Sequence, residues 1–252
     1  KPAFVFLIDG IIVHTQFSLG LLKKKFGKYL FNKIQIEMIY GFDLDYTQLN
    51  CKKNNKISSR KRLGLPIDKK IILFFGQIKR IKNLELIIKA LSKIREEDSN
   101  IVLVIAGKIW KDDFKFYQDL IDKFNLEQNI IKRIEFINNE DVQYYFHASD
   151  LFILPYRIIY NSGVLVKGMS YSCPVLCSDL PVFKEFINDG HNGFLFTENN
   201  ISSLKNKILK IFENDTDLDL IGLNGKNTII KRFNFNEISS KYTSFYKNVL
   251  SK

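Results

Sequence analysis

Two short segments of the sequence combine glycine with cations or with residues that start helices, as phosphate-binding turns do. The first runs from Gly76 to Asn83 and carries Lys79, Arg80 and Lys82 directly after an apolar run. Glycine lets the backbone turn sharply, and cations beside helix amide groups favour an anion. Taken alone, this segment fits either a phosphate site or a basic loop without a ligand.

The second segment runs from Pro155 to Gly163 and leads into a predicted helix at Val164. Ser162 is a natural N-cap, and Gly163 behind it leaves the amides of the first helical turn open to a ligand. A simple helix cap is the alternative interpretation. Both segments follow predicted strands, and a pocket built from the two would hold a diphosphate. We therefore predict that Lys82 and the amides of 162–164 share one phosphate site.

The elements around these segments alternate between short β-rich runs and longer helical patterns, which predicts βαβ units and a parallel sheet. We predict strands at 71–75, 101–106, 134–137, 151–154, 174–178 and 194–196. Helices are predicted at 83–97, 113–124, from 139 onward, at 163–172 and at 181–188, and again after residue 200. This is the pattern of an α/β, Rossmann-like doubly wound domain, whose ligands bind at the carboxyl ends of the strands.

A smaller piece precedes this domain, with predicted strands at 10–14 and 34–39 around a helix at 16–26. Such a piece cannot bury a core alone, so we expect it to be the end of a second Rossmann-like domain. The polar, lysine-rich run at 48–62 is predicted to be structureless. The predicted units are residues 1–47 (end of the first domain), 48–65 (linker), 66–233 (main domain) and 234–252 (a helix returning to the first domain).

The formal net charge of +11 raises the question of a polyanionic partner, because clustered Lys and Arg side chains attract phosphate. Two stretches are denser than the rest, Lys23 to Lys33 and Lys52 to Arg62. They leave two interpretations open, a solvated surface and peripheral contact with an anionic membrane. No aromatic-rich basic surface is recognisable, so we predict no nucleic-acid partner.

Cysteine usage and hydropathy bear on the compartment. Cys51, Cys173 and Cys177 lack paired metal-ligand spacing, and free thiols suit a reducing cytoplasm. No apolar run approaches the roughly 20 residues that span a bilayer. We expect a soluble cytoplasmic protein, with the inner face of the plasma membrane as the place of any membrane contact.

The motifs and their order resemble the family-4 class of retaining glycosyltransferases with the GT-B fold. The resemblance extends from about Asp9 to Leu250. Its most specific segments lie at 73–84, 148–156, 161–165, 174–178 and 183–193. It implies a nucleotide-sugar-binding Rossmann-like domain that is nearly whole here, and an acceptor-side domain of which only the end is present.

The resemblance also implies roles for residues of the two turns. Gly76 and Lys82 match the positions that hold the donor diphosphate, and Ser162, Gly163 and Val164 match the turn whose amides meet the same phosphates. The leaving group is a nucleoside diphosphate, whose developing charge a lysine and a helix amino terminus can stabilise without a metal. No metal and no further cofactor is therefore expected.

Other positions complete the predicted site. Gln77 stands where the family usually has arginine, so one charged contact becomes a neutral hydrogen bond, and Arg80 or Lys79 is a candidate substitute. We predict Lys82 and Gln77 as the catalytic residues. The remaining expected donor-binding residues are Gly76, Arg80, Asn161, Ser162, Gly163, Val164 and Lys167, with Ile137 and Asn138 beside the nucleobase.

The sequence departs from the family at two glutamates that many members place eight residues apart. Ile159 and Lys167 occupy those positions. A lysine cannot accept hydrogen bonds from ribose hydroxyls, although it reaches phosphates, so nucleoside recognition must differ from the family pattern.

Two further residues leave alternatives open. His14 either faces the cleft between the domains or is a satisfied structural histidine, which we favour. Glu185 matches a family position near the donor cleft, but helix capping or ion pairing explains it equally well.

From the resemblance we predict a retaining hexosyltransferase that uses a nucleotide sugar, with UDP as the expected nucleotide. The expected acceptor is a glycan or a lipid-linked glycan, in cell-surface polysaccharide or glycoconjugate synthesis. The missing glutamates and Gln77 motivate one alternative, a catalytically silent glycosyltransferase-like partner that stabilises an active subunit.

Overall fold

The computed structural model describes residues 8–41, 55–111, 113–213 and 216–251, with the backbone alone at 28–33. All strands in this part of the chain pair in parallel. They are β1 (Gly10–Val13), β2 (Gln35–Met38), β3 (Lys70–Phe75), β4 (Ile101–Ala106), β5 (Ile130–Arg133), β6 (Leu151–Leu154), β7 (Val175–Ser178) and β8 (Phe194–Phe196).

Helices connect the strands, and further helices follow the last strand, β8. They are α1 (Gln16–Lys33), α2 (Lys56–Leu63), α3 (Leu84–Ile94), α4 (Lys115–Lys123), α5 (Asn139–Ala148), α6 (Gly163–Ser170), α7 (Pro181–Lys184), α8 (Ile201–Glu213), α9 (Leu218–Arg232) and α10 (Phe235–Leu250). Short 3₁₀ turns lie at Arg80–Lys82 and Glu127–Asn129. Among the described residues, no helix combines the length and apolarity that crossing a bilayer requires.

The main sheet has six strands in the order β5-β4-β3-β6-β7-β8. Ile72 and Phe74 of β3 pack with α3, α4 and α8 on one face, whereas Ile71 and Leu73 pack with α5, α6 and α9 on the other. Because central strands such as β3 and β4 are buried on both faces, they are unbroken apolar runs in the sequence. The predicted doubly wound parallel sheet is confirmed.

The strand order reverses between β3 and β6. From β3 the chain adds β4 and β5 outward on one side, and from β6 it adds β7 and β8 on the other. Ligands of such sheets bind in the crevice at the carboxyl ends of the strands, at this switch point. The turns that follow β3 and β6 are the two phosphate-binding candidates, so the fold brings them to one crevice.

The first part of the chain forms a βαβ unit in which Gly10 of β1 lies opposite Gln35 of β2. Gly27, with φ of 62°, interrupts α1 between its two helical segments. The final helix α10 packs on this unit, since a Cβ on Gly10 would lie 2.6 Å from the Phe245 ring.

The predicted strand at 134–137 is wrong. The strand is β5, Ile130–Arg133, which pairs with β4 so that Ile130 lies opposite Leu103. It is an edge strand, and its half-buried Lys132 and Arg133 interrupt the apolar pattern by which the central strands were predicted. Residues 134–138 form the loop beyond β5, so Ile137 and Asn138 lie past its carboxyl end.

The prediction of a structureless run is also wrong where the structure describes it. Residues 48–54 lie outside the described part, but 56–63 form α2, which Asn55 caps through hydrogen bonds from the amides of Ile57 and Ser58. Gly64 ends the helix in the left-handed conformation, with φ of 62°. Helix α2 has almost no apolar face, so helical periodicity in hydropathy was absent.

A buried arginine anchors α2 to the main domain. Arg60 is 4% exposed and donates to the carbonyls of Ala148, Ile67 and Lys69 and to Asp150, at 2.7 Å. Asp150 also accepts from the amide of Ile71 at the start of β3 and from Lys56.

These contacts change how the Lys52 to Arg62 stretch is interpreted. Lys56 and Arg60 pair with Asp150, and Arg62 pairs with Asp141, so these cations are already matched by carboxylates. Membrane contact by this stretch gains no support, and for Lys23 to Lys33 it stays a prediction.

Removing the carboxylate of Asp150 should strongly destabilise the fold, because the buried guanidinium of Arg60 and the amide of Ile71 in β3 would then lose this acceptor. We expect Asp150→Ala to lower the free energy of unfolding by about 3 kcal/mol in urea titrations. The control is Asp141→Ala, whose exposed pair with Arg62 should contribute under about 1 kcal/mol. Equal losses in the two variants would contradict the anchoring role.

Candidate active site

The turn after β3 depends on two glycines that touch. Gly76 has φ of 92°, and a Cβ added to Gly107, at the end of β4, would lie 2.3 Å from the Gly76 carbonyl oxygen. Beyond them Ile78 and Ile109 form a β-bridge, and the Trp110 amide donates to the Ile78 carbonyl at 3.0 Å. The turn is therefore held rigidly against the loop that follows β4.

Lys82 ends the 3₁₀ turn and points back toward β3. It is 9% exposed, and its Nζ lies 3.5 Å from the Phe75 carbonyl oxygen and 5.6 Å from the centre of the Tyr156 ring. Asn83, with φ of 57°, redirects the chain from the 3₁₀ turn into α3. Within the described residues Lys82 forms no salt bridge.

The environment of Lys82 disfavours its charge. Burial, and to a smaller extent the charge of nearby Lys79, lowers the pKa of the Lys82 ammonium to about 8. A buried cation without a carboxylate partner is costly unless an anion joins it. The site therefore presents an ammonium whose natural complement is an external anion.

The turn after β6 supplies open amides. Ser162 caps α6 by accepting the amide of Leu165 at its Oγ, 3.2 Å away. The amides of Gly163 and Val164 donate to no other residue in the described ranges. A helix amino terminus with free amides attracts negative charge.

The two turns meet. A Cβ on Gly76 would lie 3.1 Å from Lys82 Nζ and 3.6 Å from Val164 Cγ2, so the ammonium and the start of α6 flank the same glycine. The Arg157 amide donates to the Ile81 carbonyl at 3.0 Å.

An ion pair reinforces the contact between the turn after β3 and the turn after β6. The guanidinium of Arg157 pairs with Glu85 at 2.7 Å, and Glu85 is buried in the first turn of α3. Sequence reasoning did not identify either residue, because the pair joins positions 72 apart in the chain.

The other predicted residues of the first turn point elsewhere or into solvent. Gln77 is exposed. The Arg80 guanidinium lies 3.7 Å from the centre of the Phe116 ring on α4, and Lys79 Nζ lies 5.0 Å from the Trp110 ring. Of the predicted cations, Lys82 is the one that the structure places beside Gly76.

The remaining predicted residues lie along the same edge of the sheet. Asn161 precedes the Ser162 cap, and its Oδ1 is buried without a partner among the described residues. Lys167 is half-buried on α6. Ile137 packs on the core and Asn138 is the exposed N-cap of α5, both beyond β5 and thus two strands from β3.

The positions of the two family glutamates are occupied by side chains of different chemistry. Ile159 packs against the core on the α6 side of the sheet and offers no hydrogen-bonding group. Lys167 carries the opposite charge, so neither side chain accepts hydrogen bonds from a sugar.

Glu185 caps a helix of the first unit. Its two carboxylate oxygens accept the amides of Gln16 and Phe17 at 3.0 and 2.7 Å, at the start of α1. Phe17 also stacks on Tyr160 of the turn after β6, with ring centres 6.4 Å apart. Capping was one of the two interpretations left open for Glu185.

His14 has the structural role that we favoured. Its Nδ1 lies 2.8 Å from the Ile39 carbonyl oxygen, within the first unit.

Comparison with known proteins agrees with this architecture. A family model described as Glycosyl transferases group 1 matches residues 55–228. An uncharacterized glycosyltransferase of Methanocaldococcus jannaschii is 24% identical over 214 residues, which cover 84% of this chain and 54% of that protein. The glycogen synthase of Kosmotoga olearia is 29% identical over 220 residues, which cover 83% of this chain and 44% of that enzyme. The chain thus spans about half the length of these relatives.

Solved structures share the fold. HepE of Anabaena in complex with UDP superimposes with a TM-score of 0.80 at 20% identity, covering 95% of this chain and 64% of that one. The predicted GT-B-type, Rossmann-like architecture is confirmed by such neighbours.

Replacing Lys82 with an apolar residue should stabilise the protein in the absence of ligand. The pKa of Lys82 in the folded protein, about 8, lies below the ordinary value of 10.5, because burial disfavours the ammonium. Below pH 8 the folded protein therefore bears the whole cost of burying this charge. That cost is relieved as pH rises from the folded toward the unfolded pKa. We expect Lys82→Met to raise the free energy of unfolding at neutral pH by about 1 to 3 kcal/mol.

The control is the same change at Lys93, an exposed position of α3, where an effect within about 0.5 kcal/mol is expected. Urea unfolding on both sides of pH 8 distinguishes the two variants. The difference in unfolding free energy between wild type and Lys82→Met should shrink as pH rises, whereas that for Lys93→Met should not. A loss of stability in Lys82→Met would mean that its ammonium is already well solvated or paired.

Proposed function

Because the chain belongs to the family of group 1 glycosyl transferases, we propose that it transfers a hexosyl unit from a nucleotide sugar to an acceptor, with retention at the anomeric carbon. We propose a UDP-linked donor. HepE, which shares the fold, was solved in complex with UDP, and this supports the choice of nucleotide. Family-4 membership and retention rest on the motif resemblance.

One observation carries the proposal. Lys82 is a buried ammonium without a carboxylate partner in the described part of the chain, and it flanks Gly76 together with the free amino terminus of α6. A diphosphate supplies the missing anion and at the same time accepts from the open amides of Gly163 and Val164.

The same contacts stabilise the departing group. As the bond between sugar and diphosphate breaks, negative charge develops on the phosphate oxygen. We assign Lys82 to neutralise that charge and the amides at 163 and 164 to donate to the same phosphates. Low solvent access around Lys82 strengthens these electrostatic contacts. The proposal includes no metal ion.

We assign Gln77 as the second side-chain donor to the phosphates. It is exposed in the same turn as Gly76, whereas the Arg80 guanidinium is stacked on Phe116. A neutral amide makes a weaker contact than the arginine of the family pattern. Lys82 is therefore assigned a larger share in neutralising the phosphate charge here than in the family pattern.

Recognition of the sugar and ribose must use groups other than the two family glutamates. Asn161 Oδ1 is a buried acceptor without a partner in the described ranges, so we assign it to a hydroxyl of the donor. Lys167 lies one helical turn after Gly163 and is assigned to the phosphates. We place the nucleobase beside Ile137 and Asn138.

We propose a glycan or lipid-linked glycan as acceptor, in polysaccharide or glycoconjugate synthesis. The glycogen synthase among the relatives is a polysaccharide-forming enzyme, which supports this class of product. The βαβ unit at residues 8–41 is proposed to be the end of the acceptor-side domain.

Binding and turnover test the proposal together. In calorimetry we expect UDP to bind, and Lys82→Ala to weaken that binding by about 1.5 to 3 kcal/mol, the contribution of a charged hydrogen bond. Lys93→Ala should leave the affinity unchanged. Release of the nucleoside diphosphate from a panel of UDP-, GDP- and dTDP-hexoses measures turnover.

The outcomes separate the hypotheses. Failure to bind any nucleoside diphosphate would refute the donor site. Binding without turnover of any nucleotide sugar would favour the catalytically silent partner subunit.

A further inference from the structure

A second concave site lies apart from the phosphate turns. It is a cavity of about 670 Å³ where the segment 184–192, the end of α9 and the start of α10 meet Tyr40. Of the residues discussed for the donor site, Glu185 lines it as the cap of α1, whereas Gly76, Gln77, Lys82 and residues 161–167 do not. Its volume falls in the range of sites for small molecules.

Cations dominate the charged side chains of this cavity. Lys184, Lys231, Arg232 and Lys241 line it, against the carboxylates of Glu185 and Glu237. Both carboxylates are already matched. Glu185 accepts the first amides of α1, and Glu237 pairs with Lys241 at 2.7 Å.

Two of the cations have no anionic partner among the described residues. Lys184 pairs with Asp179 at 3.2 Å, but Lys231 and Arg232 have no carboxylate partner in the part of the chain that the structure describes. The cavity therefore holds positive charge that the described protein does not neutralise.

Arg232 is held in place by aromatic rings. Its guanidinium lies 4.9 Å from the centre of the Phe186 ring and 5.8 Å from that of Tyr40, and it donates to the Tyr40 hydroxyl at 3.4 Å. A planar guanidinium that is positioned in advance binds the oxygens of a phosphate in two-point fashion, at little cost in side-chain entropy.

The rest of the wall suits a hydroxylated ligand. Asn192 is buried and uses its amide N–H groups on the Phe186 carbonyl and on Thr228, so it shapes the wall. The polar groups open to a ligand belong to Asn188 and His191, which are exposed. Phe186 and Ile187 supply an apolar surface beside them.

We propose that this cavity is an effector site for a phosphorylated sugar or a similar small phosphomonoester. Arg232 and Lys231 bind the phosphate, and the exposed side chains of Asn188 and His191 face the hydroxylated body. This ligand is distinct from the donor, because the site shares no residue with the turns at Gly76 and Ser162. Glu185 connects the site to those turns, since it holds the start of α1, where Phe17 stacks on Tyr160.

Calorimetry with glucose 6-phosphate tests the site. Wild type should bind it, inorganic phosphate should bind more weakly, and glucose should not bind. Lys231→Gln and Arg232→Gln should each weaken glucose 6-phosphate about tenfold or more, as expected for loss of a charged hydrogen bond. Lys226→Gln, the same change elsewhere on α9, should have no effect.

The second control separates this site from the donor site. Lys82→Met should leave glucose 6-phosphate affinity unchanged, and a marked loss in that variant would place the phosphate at the donor turns instead. The proposal is also overturned if wild type shows no binding at about 10 mM glucose 6-phosphate, or if Lys231→Gln binds as wild type does. Lys231 is exposed, so Lys231→Gln should fold. This variant therefore still tests the site if Arg232→Gln destabilises the chain by losing the ring contacts of Arg232.

Discussion

A lysine that is nine-tenths buried must meet an anion or bear a large electrostatic cost. Within the ranges that the structure describes, Lys82 meets a carbonyl oxygen and the face of a ring but no carboxylate. The lowered pKa of its ammonium, about 8, expresses that cost. Three features fix the backbone of the turn that carries Lys82: the glycine contact between the ends of β3 and β4, the left-handed Asn83 and the hydrogen bond from the Arg157 amide to the Ile81 carbonyl. Proteins often place such unfavourable groups where a ligand completes them.

The fold explains how residues far apart in the chain reach one crevice. Parallel strands end at the same edge, and reversal of the strand order between β3 and β6 opens a gap there. Asp150 fixes this arrangement from the opposite end of the sheet, by joining β3, the start of β6 and α2. The aspartate of the Ala148-Ser149-Asp150 motif is thus structural, whereas Gly76, Lys82 and Ser162 surround the crevice.

Much of the fold followed from the sequence because the central strands are buried on both faces and read as apolar runs. The edge strand β5 was displaced by four residues in the prediction, since Lys132 and Arg133 broke that pattern. Helix α2 was missed because polar contacts to Asp150 hold it instead of an apolar stripe.

Within the site, the proximity of Lys82 to the start of α6 could be predicted from strand-end geometry. The ion pair of Arg157 with Glu85 and the cap that Glu185 forms on α1 could not, because both depend on tertiary packing between distant segments. The substitutions at Ile159 and Lys167 were visible in the sequence. The structure adds that Ile159 is partly buried against the core and that Asn161, two residues later, has a buried acceptor.

NMR of the labelled Lys82 side chain, with and without UDP, measures whether the nucleotide supplies the anion that this buried ammonium lacks among the described residues. We expect a pKa of about 8 in the free protein and a rise toward or above the ordinary value of 10.5 when UDP binds, because the diphosphate stabilises the ammonium. If UDP binds while that pKa stays at its free value, the nucleotide does not contact Lys82, and the assignment of this crevice as the donor site is contradicted.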